Sequence, residues 1–158
     1  MAIAYSLELA TPMPAAQVAS ELCDVGRDGG LFDESVTAER LLDGAATVRR
    51  SWVRVGPCKP MHWDPVAEDF GITGTVWAHF RMYKLEDILA EQDDMIRLVA
   101  GVLAGVPGDA VLHHEFEVVW LMRRAGELTL NERDDLWRPA RLAAIDPPYQ
   151  RVTHTFAG

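Results

Sequence analysis

TVWAHFRMYK, residues 75–84, alternates without a break: Val76, Ala78, Phe80 and Met82 fall on one side, Trp77, His79, Arg81 and Tyr83 on the other. A period of two predicts a β-strand with one face in a core and the other amphipathic. The period then changes. Across Leu85–Leu103, Ile88, Leu89, Met95, Ile96, Val99 and Leu103 recur at helical spacing. Glu86, Asp87, Glu91, Asp93 and Asp94 crowd the N-terminal half of that helix, where the macrodipole favours negative charge. A break near Asp93 is left open, and Pro107 and Gly108 end the helix near Gly105. Gly101 and Gly105 have GxxxG spacing, which outside a membrane reads as close helix packing or a weakened helix end. Beyond it, Asp109–His114 and Phe116–Arg124 read as strands, and Arg124–Glu127 turns into a third, Leu128–Asn131.

Working back from this centre, Ala45–Val55 alternates as a strand with an irregularity near Arg49 and Arg50. Ala2–Ala10 alternates as a first strand, with Ile3, Tyr5, Leu7 and Leu9 on one face. Thr11, Pro12 and Pro14 open a short helix through Leu22. Asp24–Gly30 reads as a turn, Leu31–Phe32 as a small strand, and Thr37–Leu42 as a helical turn. Gly56–Gly74 has three prolines, three glycines and no period, which predicts a long irregular loop and so a candidate site. Glu132–Ala144 reads as a helix cut by Pro139, and Asp146 onward as a peripheral tail. The expected architecture is one α+β domain over 1–158, an antiparallel sheet with helices packed on one face.

Composition narrows the function. The chain has 158 residues, 49% hydrophobic and 25% charged, enough for one substantial core. Its net charge of −9 and pI near 4.9 disfavour nucleic acid and anionic membranes, and make a basic protein the easier partner. Charge of this kind also serves plain solubility. Met1–Ala10 lacks the pattern of a secretory signal, and no stretch approaches the roughly 20 apolar residues of a membrane span. Cys23 and Cys58 form neither a CxxC pair nor part of a ligand set, so reduced thiols in a cytoplasm are expected. There is no GxSxG elbow, GxxxxGK[ST] loop or strand-linked GxGxxG.

From Trp77 to Leu130, the run WAHFRMYK, the helix ending IRLVAGVLAGVPGDAVL, and the segment EVVWLMRRAGEL resemble the most recognisable portion of SitI3-family bacterial immunity proteins. That covers about a third of the chain; AYSLELA and ATVRRSWVRV fit the same outline more loosely. Where a tight Asn-Gly-like turn is expected between paired strands, this chain has His113-His114-Glu115-Phe116. The resemblance implies a cytoplasmic role in neutralising a cognate protein toxin by direct binding. It supplies no catalytic residues and no cofactor.

Two constellations stand out. Met61, Trp63, Asp64, Glu68 and Asp69 in the 56–74 segment, with Trp77, His79, Arg81 and Glu117, offer aromatic and charged groups suited to a protein interface. The plainer reading is a loop folded back on Trp63 and a sheet face merely covered by the tail. His113, Glu115 and Glu117 would share one strand face and, with His79, form the alternative: a metal- or ligand-dependent enzyme. HExxH is absent, and a solvated sheet surface accounts for the same residues. The tryptophans Trp52, Trp63, Trp77, Trp120 and Trp137 are expected mostly in the core. The sequence therefore favours a binding protein over an enzyme, with a homo-oligomer left open.

Overall fold

A computed structural model describes residues 3–59, 62–83 and 87–157. In chain order the elements are β1 (Ala4–Ala10), α1 (Ala15–Asp28), α2 (Ala38–Asp43), β2 (Ala45–Ala46), β3 (Trp52–Pro57), α3 (Pro65–Phe70), β4 (Val76–Arg81), α4 (Ile88–Gly105), β5 (Asp109–His114), β6 (Val118–Arg124), β7 (Glu127–Leu130), α5 (Pro139–Leu142) and β8 (Gln150–Arg151). The strands form one sheet in the order β2-β3-β4-β1-β5-β6-β7-β8, antiparallel except for β7 with β8. This is the α+β architecture that the alternating periods imply.

Alternation sends Tyr5, Leu7 and Leu9 of β1, Val53 and Val55 of β3, and Ala78 and Phe80 of β4 to one face, all buried. There they meet Val18 and Leu22 of α1, Leu41 of α2, and Ile96, Val99 and Val102 of α4. The α1–α4 contact is close because α4 presents glycine. A Cβ on Gly101 would lie 2.3 Å from Val25 Cγ1, and one on Gly105 2.5 Å from Glu21 Oε2. The GxxxG spacing thus serves helix packing.

The acids of α4 act as clamps on arginines. Asp93 accepts from Arg141 Nε at 2.6 Å and from Arg138 Nη2 at 2.8 Å, and Asp94 pairs with Arg49 at 2.9 Å. At the other end, Arg123 donates to the carbonyls of Leu103, Val106 and Gly108, closing the C-terminal turn that Pro107 leaves open. Burial pulls its guanidinium below the ordinary arginine value.

Several expectations change. The segment Asp24–Gly30 is largely the second half of α1, which runs to Asp28 because Val25 and Gly26 are held under α4 and Phe32. Leu31–Phe32 is buried but is not a strand. The irregularity near Arg49 and Arg50 is a turn: Arg50 has φ 73°, and the Thr47 amide donates to the Ser51 carbonyl, so Ala45–Val55 is a hairpin rather than one strand. Pro139 begins α5 instead of cutting a helix, as its fixed φ and missing N–H allow. The tail is less peripheral than expected, since Gln150 and Arg151 add β8 to the sheet.

Candidate partner-binding face

The 56–74 segment is not a structureless loop. It holds the end of β3 and then α3, which packs on the sheet face opposite the other helices. Asp64 caps α3 by accepting from the Val66 amide at 3.0 Å, Pro65 occupies its first turn, and Gly71 closes it in the left-handed conformation, φ 67°. Those are ordinary helix start and stop signals, DP and FG, which the proline and glycine content of the segment masks. Val66, Ile72, Phe70 and Phe156 cover Val111, Val119 and Met122 as a second small core. Asp69 ties down the tail by accepting from the Ala157 amide at 2.9 Å.

Among the described residues, that cover lies over β5–β6 and reaches the Ala10 end of β1. On the adjoining half of the same face, the register sets Trp52 opposite Arg81, Arg54 opposite His79, and Gly56 opposite Trp77, with Ser6 and Glu8 of β1 beside them. The indole of Trp77 stacks on His79 at 4.0 Å and 12° between planes, and the Arg54 guanidinium lies 5.6 Å from the indole centre. Two glycines make room. A Cβ on Gly56 would be 2.4 Å from Trp77 Cζ2, and one on Gly44 2.2 Å from Trp52 Cζ2, so both indoles lie flat where a side chain would have stood. At the edge, Arg50 rests over the Tyr83 ring at 5.3 Å and donates to its hydroxyl at 3.0 Å.

Tryptophan burial departs from expectation here. Trp120 and Trp137 are core, but Trp52 is 46% and Trp63 64% exposed, and Trp77 is half-buried. Trp63, Glu68 and Asp69 are exposed on α3 or just before it, Asp64 is occupied as its cap, and Trp77, His79 and Arg81 lie on the open half-face. Met61 lies outside the described residues. Glu117 is exposed in the β5–β6 turn, whose Phe116 ring meets Phe156 of the tail at 6.0 Å. The described members of the set named from the sequence thus fall on one side of the sheet, with Asp64 and Asp69 already holding structure.

The His113, Glu115 and Glu117 set does not form. The register shifts between Leu112 and His113, and Glu115 and Phe116 sit in a two-residue turn with φ 52° and 57°, closed by the Glu117 amide donating to the His114 carbonyl at 2.9 Å. Both angles match a mirror-image type I turn, which Asn-Gly usually fills. His113 is buried, and its ring is fully used: Nδ1 accepts from the Phe116 amide at 3.1 Å, which leaves the proton on Nε2 to be donated to Glu8 at 2.9 Å. Glu8 is the residue the sequence reading missed. Its place on the polar face of β1 was legible, but its neighbour across β5 was not. Among the described residues, no group of three or more His, Cys, Asp or Glu is arranged to hold a metal ion.

His79 protonates less readily than an ordinary histidine, first because burial removes water from its ring; Glu8 opposes this, and His113 and Arg54 add to it. His154 is shifted the same way by burial and Arg124. A lowered value means the unfolded chain binds the proton more tightly. These groups therefore contribute stability that is present above about pH 6.5 and lost as pH falls below it. Urea melts between pH 7 and 5 should show stability falling, and His79→Gln should flatten that slope; an unchanged slope would show that the stacked ring titrates freely.

A family model described as SitI3-like matches residues 3–141. No curated protein matches the chain, and no solved structure does. Among the described residues, no helix is long and apolar enough to cross a membrane.

Proposed function

The chain belongs to the SitI3-like family, and on that premise we propose that it is an immunity protein that neutralises a cognate protein toxin by binding it directly in the cytoplasm. The observation that carries this reading is the distribution of tryptophan. Three of five lie outside the core, all on or beside a sheet face that, among the described residues, lacks a covering helix over β3 and β4. Large exposed aromatics are unfavourable in water and are the residues that dominate binding energy when desolvated by a partner. The overall charge of −9 favours a toxin of net positive charge, steered in from a distance. The contact surface in this proposal comprises Trp63, Glu68 and Asp69 at α3, Trp77, His79 and Arg81 on the sheet, and Glu117 in the neighbouring turn, together with Met61, which lies outside the described residues; Asp64 holds α3 in place.

Charge and aromaticity have separable effects. Complementary potential raises the association rate and fades with salt, whereas a desolvated aromatic anchor sets dissociation. Trp63→Ala is expected to weaken binding by ~2 kcal/mol or more through faster dissociation. Glu68→Gln is expected to slow association by about fivefold or less, and only at low ionic strength. Both rate constants are to be measured against the protein product of the adjacent gene. Salt-independent association together with an unchanged Trp63→Ala dissociation rate would remove this surface from the interface, and no binding at all would remove the immunity reading.

A further inference from the structure

We infer that the bare half of the sheet receives an extended acidic segment of the partner protein, its carboxylates held by Arg54 and Arg81. The inference rests on the immunity reading for the identity of the partner, but its chemistry comes from the local charge. A chain of net charge −9 concentrates Arg50, Arg54 and Arg81 around Trp52 and Trp77. The carboxylate on the same patch, Glu8, is already bonded to His113. Arg54 and Arg81 are free of salt bridges among the described residues; Arg54 makes one long hydrogen bond, to the Leu42 carbonyl at 3.4 Å. The patch therefore has the opposite sign to the molecule, and its two exposed guanidinium groups lack a carboxylate partner among the described residues.

Spacing then selects the ligand. Arg81 faces Trp52 and Arg54 faces His79, so the two arginines are diagonal neighbours across β3 and β4. Diagonal positions on paired strands are about 7–8 Å apart. Residues i and i+2 of an extended chain are separated by about 7 Å. A segment with acids at alternate positions places one carboxylate on each guanidinium, in the planar fork geometry that arginine favours. Its intervening atoms lie over Trp77 and Trp52. A phosphate backbone carries the same charge, but nucleic-acid binding draws on many cations over a long track, and the remainder of this surface repels it. A protein segment confined to the patch avoids that field.

The test uses an eight-residue peptide of alternating glutamate and threonine, titrated into the full chain at low ionic strength and followed by tryptophan fluorescence and calorimetry. The matched lysine–threonine peptide and an oligothymidylate of similar length are the comparisons. The glutamate peptide should bind, and the double variant Arg54→Glu/Arg81→Glu should weaken it at least about tenfold, with Arg54→Gln/Arg81→Gln intermediate and Glu127→Gln, on the far strand β7, without effect. Melting curves matching wild type establish that the variants fold. No binding of the glutamate peptide, binding that ignores the double variant, or tighter arginine-dependent binding of the oligothymidylate would overturn the inference. The same variants tested against the adjacent gene's product decide the immunity reading separately. Failure of wild type to bind that product refutes the reading and leaves the peptide result standing.

Discussion

Replacing Gly108 with alanine is expected to destabilise the protein by at least ~3 kcal/mol, because two independent costs fall on one atom. Gly108 has φ +108°, where side chains are strained, and a Cβ there would lie 1.9 Å from the Ala10 carbonyl oxygen and 2.9 Å from its carbon. Neither contact is a flexible side chain that can swing aside. Ala10 ends β1, the strand that pairs with both β4 and β5, so relief requires moving the centre of the sheet. Displacing Gly108 would also pull its carbonyl from Arg123 Nε, now at 2.8 Å, and disturb the end of α4. A urea midpoint for Gly108→Ala that translates to less than about 1 kcal/mol would show that the α4–β5 connection can shift independently of β1.

Arg141→Met should cost about 3–5 kcal/mol, the range for removing one member of a buried charged set. Arg141 is 1% exposed. Besides Asp93, it donates to the Leu136 carbonyl at 2.9 Å and to Gln92 Oε1 at 2.9 Å, and its guanidinium lies 5.4 Å from the Trp120 ring centre. Methionine keeps the stem but leaves these acceptors without the donor, and Arg138 can neutralise Asp93 only from the outer side. Adding Asp93→Asn should recover part of the loss, because the charge left behind is then removed. Loss of stability equal to the sum of the two single variants, in denaturant melts, would show that the pair is not coupled.

These two sites mark how far the sequence could be read. Period alone located β1, β4, α4 and the β5–β7 meander, since each buries one face of a regular element and hydrophobicity records that face directly. It failed where tertiary contact decides. The charged, glycine-containing stretch after Leu22 resembles a turn, yet Val25 fills the space above Gly101 and Gly26 admits the Phe32 ring, so the helix continues. α3 was hidden by proline and glycine content, although Asp64-Pro65 and Gly71 mark its ends. β8 has two residues and a parallel partner, and nothing local announces it.

That Trp77, His79 and Arg81 share one face of the sheet was legible because β4 alternates cleanly. Trp52 and Arg54 extend it, but only the β3–β4 register reveals that they adjoin Arg81 and His79. The supposed histidine–glutamate cluster shows the opposite limit. Counting by twos through His113, Glu115 and Glu117 assumes an uninterrupted strand. A register shift and a left-handed turn break that count and redirect His113 to Glu8, 105 positions away.

The alternation of β3 and β4 also separates what can vary from what cannot. Val53, Val55, Ala78 and Phe80 are locked against the helices, while Trp52, Arg54, His79 and Arg81, threaded between them on the same backbone, are exposed. Selection acting on recognition can rewrite the second set while the first remains untouched. On the proposed interface, a change of specificity would then take only a handful of codons, with Gly44 and Gly56 leaving the space that the rings of Trp52 and Trp77 occupy.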